Sequence, residues 1–154
     1  MLVHLLTVSL RYQELAEEKK FWFYSLVVGK SSMSMSITTR PNGIATVVDV
    51  TGEITLYNAP DLRKALMDLL KVRKAPRAIV NMTKVGYIDS AGVACLVEAL
   101  KVSRESKIGF ALFGLNRVAR EVFELTRLIN VFEVYGTEEE ALRGVRSTSS
   151  SATV

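Results

Sequence analysis

The stretch that most constrains this chain is Lys84 to Val97, K-V-G-Y-I-D-S-A-G-V-A-C-L-V. A short apolar run from Val85 to Ile88 meets an acid and a hydroxyl, Asp89 and Ser90. After Gly92 the apolar residues recur at Val93, Leu96, Val97 and Leu100. A change from an unbroken run to spacings of three and four is the signature of a strand turning into a helix. Ser90 is thereby placed where the helix begins. A serine there can cap the free N–H groups of the first turn, and a phosphate on it would set a charge of about −1.5 to −2 against the positive end of the helix dipole. Serine and aspartate ahead of a helix are also ordinary capping chemistry in any βα turn. The position suits a cap or a switch.

The rest of the chain is organised to match. Met35 to Arg40 and Ile44 to Val50 suit two strands, and Pro41-Asn42-Gly43 between them supplies the turn chemistry of a hairpin. Thr51 to Thr55, with Gly52 and Glu53, reads as a loop. Asn58 to Lys74 carries Ala59, Leu62, Ala65, Leu66, Leu69 and Leu70 on one helical face, with Asn58 as cap and Pro60 in the first turn. Arg77 to Met82 is a β-branched run of the kind buried in a central strand. Ile108 to Gly114 and Ile129 to Tyr135 read as further strands. Between them Asn116 caps a helix expected to turn Val118, Ala119, Val122, Phe123 and Leu125 to the core. Thr137-Glu138-Glu139-Glu140 has capping-box spacing and starts a last helix. Such alternation predicts an α/β fold, a mixed, largely parallel β-sheet covered by α-helices, and by periodicity alone also allows a small doubly wound fold.

Met82 to Val97, with Gly52-Glu53-Ile54 upstream and Arg117 to Ala141 downstream, resembles the STAS-domain family of bacterial anti-sigma-factor antagonists. The resemblance covers roughly residues 36–146, and the D-S-A-G-V turn is its most specific part. It implies that Ser90 is reversibly phosphorylated by a partner that is both anti-sigma factor and ATP-dependent serine kinase, with a phosphatase restoring the hydroxyl. It also implies a partner-binding surface around Gly52, Glu53, Asp89, Ala91, Gly92 and Val93. Two positions depart from the family pattern. Thr55 stands where an aspartate is frequent, and Ala91 where a second hydroxyl is frequent, which leaves Ser90 as the sole candidate in the turn. Two other readings of the same turn stay open: a STAS subunit of a bacterial lipid-transport ABC complex, which needs no phosphorylation, and a stress-signalling scaffold.

Composition narrows the function classes. With 154 residues, 49% of them hydrophobic, the chain suits one well-buried domain at 36–146. Residues 1–35 read either as an over-extended start or as an added N-terminal extension that docks with its aromatic face, and 147–154 as a serine- and threonine-rich tail expected to be disordered. The apolar stretches Met1 to Leu10 and Phe21 to Val28 are too short to span a membrane, and the first lacks the flanks of a signal peptide. A net charge of +4 points to nucleic acid only if the basic residues cluster; Lys71, Arg73, Lys74 and Arg77, the densest group, read as a solvated helix end without interleaved aromatics. One cysteine forms no internal disulfide, which favours a cytoplasmic protein, and Cys95 reads as a packed thiol.

Chemistry finds little support. The lone histidine, His4, lies in the extension, and Ile88 sits two before Ser90, where a nucleophile elbow needs glycine, so neither a triad nor an elbow is expected. Gly29-Lys30-Ser31 ends like a phosphate-binding loop, but Tyr24 holds the place of its first glycine. Metal ligands are too few, although Asp49, Glu53 and Asp89 could converge at the strand ends. The expectation is a regulatory protein without enzymatic activity, metal or cofactor.

Overall fold

The computed structural model describes residues 34–144. Five strands form one sheet: β1 (Ser36–Asn42), β2 (Ala45–Ile54), β3 (Arg77–Ile88), β4 (Gly109–Phe113) and β5 (Glu133–Tyr135), in the order β1-β2-β3-β4-β5. β1 and β2 run antiparallel as a hairpin, and every later neighbour is parallel, as the strand-helix alternation predicts. The helices are α1 (Ala59–Met67), α2 (Ser90–Glu105), α3 (Arg117–Leu125) and α4 (Glu138–Arg143).

Two apolar clusters hold the layers. Val48, Val50, Ile54, Val80, Met82 and Ile88 turn to the face that meets Leu62, Leu66, Leu69 and Leu70, then Val93, Leu96, Val97 and Leu100, then Phe123. Each fully buried leucine there contributes about 1.5–3 kcal/mol. The opposite face has a smaller cluster, in which Val47, Ile79, Ala111, Phe113 and Tyr135 pack on Ala141 of α4. A central parallel strand is buried on both sides, which is why Ala78, Ile79 and Val80 follow one another without a polar residue. The tail and nearly all of the N-terminal extension expected at 1–35 lie outside the described residues.

Several local expectations are corrected. The hairpin loop is Gly43-Ile44, because Asn42 pairs with Ala45; Pro41 lies inside β1, where an edge strand tolerates its missing N–H. Thr51 to Ile54 is not a loop but the end of β2. Gly52 keeps φ +96°, and a Cβ on it would lie 2.0 Å from the Ser34 carbonyl oxygen, so only glycine fits this strand. Asn58 does not cap α1: its Oδ1 accepts from the Thr55 N–H (2.8 Å) and its Nδ2 donates to the Glu53 carbonyl (2.8 Å), turning the side chain back into the loop. The helix widens after Met67 into a π-helical stretch, Asp68–Arg73, and ends on Lys74 at φ 49°. Val118 and Leu125 of α3 face outward (46% and 86% exposed) because Ala119 and Phe123, four apart, define the buried stripe and the other two fall off it. Arg77 is no solvated helix end: it starts β3, donates to the Ala141 carbonyl (3.0 Å) and pairs with Glu133 (2.9 Å). Ile129 belongs to a short 3₁₀ turn, Leu128–Asn130, so β5 starts only at Glu133.

Candidate functional site: the turn from β3 into α2

The site is assembled where β2 and β3 end together. From the pair Asp49–Asn81 to the pair Ile54–Ile88, β2 advances five residues and β3 seven, so β3 absorbs two extra residues as irregularities in the ladder. These bring Ile54 and Ile88 level, and the Asp89 N–H continues the pairing by donating to the Ile54 carbonyl (3.0 Å). The chain then turns directly into α2.

Asp89, not Ser90, is the cap. Its Oδ1 accepts from the backbone N–H groups of Ala91 (2.8 Å) and Gly92 (3.0 Å), and its Oδ2 accepts from the N–H of Leu56 (2.8 Å). A carboxylate has more acceptor capacity than a hydroxyl and reaches the free amides from the residue ahead, so the serine is displaced into the first helical position. Asp89 is 5% exposed and Ser90 2%. The sequence places both in the turn and allows Ser90 as cap or switch; the cap is Asp89.

The other predicted residues separate into two groups. Ala91 is half-buried at the second position of α2, and Gly52 and Glu53 are half-buried at the end of β2. Gly92 and Val93 lie underneath. A Cβ on Gly92 would meet Ile54 Cγ2 at 2.6 Å and Ile88 Cγ1 at 2.7 Å, so the close approach it permits is that of the chain's own two strands. Thr55, at the position where an acid was expected from the family pattern, is buried; its Oγ1 and Oε2 of Glu53 have no hydrogen-bond partner among the described residues.

The loop from β2 to α1 was not singled out in the sequence. It holds Leu56 and Tyr57, 52% and 66% exposed, beside the capped turn. The available signal was the asparagine three residues after Thr55, a spacing at which an amide closes a loop upon its own backbone.

Asp49, Glu53 and Asp89 form no joint centre. Asp49 is taken by Arg40, whose Nε donates to it at 2.6 Å, and by Asn81 at 2.7 Å, while Arg40 also pairs with Glu138 of α4 at 2.7 Å. The Arg40 guanidinium holds both carboxyls below their ordinary range, and the two carboxylates raise Arg40 in turn. Among the described residues no group of three His, Cys, Asp or Glu side chains is placed to hold a metal ion. Cys95, buried on α2, has its thiol pushed up to about 12 by desolvation, as a packed thiol rather than a nucleophile requires. No helix among the described residues is long and apolar enough to cross a membrane.

With this geometry in place, the comparison with known proteins is specific. Residues 35–141 match the STAS domain family, and the chain belongs to it. Within that family it sides with the anti-sigma-factor antagonists. It is 34% identical over 91 residues to the anti-sigma-B factor antagonist of Listeria monocytogenes, covering 59% of this chain and 79% of the relative. The crystal structure of an anti-sigma factor antagonist from Mycobacterium paratuberculosis superposes with a TM-score of 0.67 at 25% identity, over 76% of this chain and 98% of the other. The fold also matches the phosphorylated form of SpoIIAA, the Bacillus cell fate determinant (TM-score 0.57, 20% identity, 72% and 100% covered).

Proposed function

We propose that this protein is an anti-sigma-factor antagonist that binds an anti-sigma factor and is switched off when that partner, acting as an ATP-dependent serine kinase, phosphorylates Ser90. The observation that carries the reading is the placement of Ser90: first residue of α2, directly after a carboxylate cap, in a STAS fold related to anti-sigma-B factor antagonists. That the SpoIIAA fold is known in a phosphorylated form is consistent with it.

On this reading the unmodified turn docks on the anti-sigma factor and displaces the sigma factor. Transfer of the γ-phosphoryl group from ATP to Ser90 Oγ forms one P–O bond, breaks another and releases ADP, with the hydroxyl proton passing to a base. The product is a dianion on a residue that is 2% exposed and adjacent to Asp89. The start of α2 favours the added charge, whereas the buried position and the neighbouring carboxylate oppose it, and a strongly hydrated group now stands on the surface that the partner would have to dry. A change of a few kcal/mol, tenfold in affinity for every 1.4, suffices to reverse partner choice. A phosphatase resets the switch. The protein itself acts in the cytoplasm without enzymatic activity, cofactor or nucleic-acid contact. Gly52, Glu53 and Ala91 face the partner in this scheme, whereas Gly92 and Val93 serve it from beneath by fixing the helix on the sheet.

Intact mass of the protein purified from its own cells, with and without phosphatase and beside a Ser90→Ala variant, tests the reading. The expected result is a phosphate-sized increment that phosphatase removes and the variant lacks. Its absence under every growth condition, with the protein recovered in a stable complex with a transporter ATPase, would overturn the proposal in favour of the transport-subunit alternative.

A further inference from the structure

We infer that Leu56 and Tyr57 are the apolar anchors by which the anti-sigma factor is held, and that this grip is separable from the Ser90 switch beside it. The inference rests on the function proposed above and concerns how the same surface binds.

The turn that carries the switch offers little to hold. Asp89, Ser90 and Val93 are 5%, 2% and 3% exposed, and Gly92 is buried. A partner centred there finds its contact area in what surrounds the turn. Six large hydrophobic side chains are exposed among the described residues: Ile44, Leu56, Tyr57, Val72, Val118 and Leu125. Of these, Leu56 and Tyr57 alone are adjacent in sequence, and Leu56 alone is hydrogen-bonded through its backbone to Asp89. An isolated exposed apolar residue needs no explanation, but a consecutive pair bonded to the candidate site does.

The loop that presents them is fixed at every turn. The Thr55 N–H donates to Asn58 Oδ1 and the Asn58 amide to the Glu53 carbonyl, both at 2.8 Å; the Asn58 and Ala59 N–H groups donate to the Thr55 carbonyl at 3.1 and 2.7 Å. With the Leu56 N–H held by Asp89 at 2.8 Å, this backbone is already ordered before any partner arrives. A backbone ordered this way loses little further entropy on docking, and a tyrosine has only two side-chain torsions to fix, which favours the pair as binding hot spots. The matching surface on the anti-sigma factor is an apolar pocket that takes the leucine and the tyrosine ring and leaves the Tyr57 hydroxyl in water.

The test uses the full chain and the purified anti-sigma factor from the same cells, without ATP so that no phosphorylation occurs, with affinity read by calorimetry. Leu56→Ser with Tyr57→Ser is expected to weaken binding about 100-fold, and Tyr57→Ser alone about 10-fold, with Tyr57→Phe close to wild type. The thermal midpoint of the Tyr57→Ser protein stays at the wild-type value, since the side chain is 66% exposed. Should both serine variants bind as the wild type does while Ser90→Glu does not bind, the anchors lie elsewhere and this inference falls with the switch intact. Should the wild-type protein itself fail to bind the anti-sigma factor, the proposed function falls and takes this inference with it.

Discussion

Two helices of this protein begin in the same way and end up with different capacities. Both α2 and α3 start on an Asx cap that follows a parallel strand, and both caps reach across to another element. Asn116 accepts from the Ala119 N–H (2.8 Å) and donates its amide to the Val85 carbonyl (2.7 Å), so it ties α3 to the end of β3 with a neutral group. Asp89 can only accept, and it gathers three N–H groups from two elements around one carboxylate. The third helical residue differs as well: Ala119 in α3, but in α2 Gly92, where the sheet comes too close for a methyl group. The amide cap makes a strut. The carboxylate cap makes a junction that ties the β2–α1 loop to the first turn of α2, directly beside the residue at which the proposed switch would act.

The difference can be broken most severely at Gly92. Gly92→Val places branched carbons where a bare Cβ already meets Ile54 and Ile88 at 2.6 and 2.7 Å. A loss of about 3 kcal/mol is expected in urea unfolding, whereas Ala119→Gly costs only about 1 kcal/mol, chiefly in helix propensity. If Gly92→Val were neutral, the close seat of α2 on the sheet would be disproved.

The caps themselves come next. Asp89→Ala removes three acceptor bonds and is expected to cost about 2–3 kcal/mol, against about 1–2 for Asn116→Ala. Amide exchange separates them further: Asp89→Ala should speed exchange at Leu56 as well as at Ala91 and Gly92, and Asn116→Ala at Ala119 without disturbing the β2–α1 loop. Equal patterns in the two variants would remove the distinction between junction and strut.

The smallest effect lies away from both helix starts, at the Arg40 junction of β1, β2 and α4. Asp49 and Glu138 are held below their ordinary values of 3.8 and 4.5 by Arg40, so the stability they contribute is fully present above those values and is lost as the pH falls through their lower folded-state values. Arg40 is 41% exposed and solvent screens the pairs, so Arg40→Gln is expected to cost only about 1 kcal/mol near neutral pH. The difference from wild type should shrink towards zero in acid. A gap that stays constant down to acid unfolding would mean that the guanidinium acts through packing and not through charge.

The sequence announces α2 clearly because its apolar spacing and its preceding run are both local patterns, and the long leucine face of α1 is legible for the same reason. What it leaves hidden depends on contacts across the chain. Asp89 and Ser90 are equally good caps on paper; only the Leu56 N–H and the packing of the first turn decide between them. Thr51 to Ile54 looks like a loop because glycine interrupts it, whereas β3 accommodates that glycine with two extra residues of its own. Val118 and Leu125 fit an apolar helical face in isolation, and the sheet selects Ala119 and Phe123 instead. The Arg40 junction joins residues nearly a hundred positions apart, so no window of sequence contains it.

The order of the strands in the sheet is the order of the strands in the chain. A sheet of this kind can be laid down from one side during synthesis, since each described strand after β1 finds its hydrogen-bonding neighbour already made and none of them has to be threaded between two earlier ones. The nascent chain accordingly keeps one growing edge at a time, and α4, delivered last, closes the second face over Ala45, Val47 and Ile79 only when the sheet beneath it is complete.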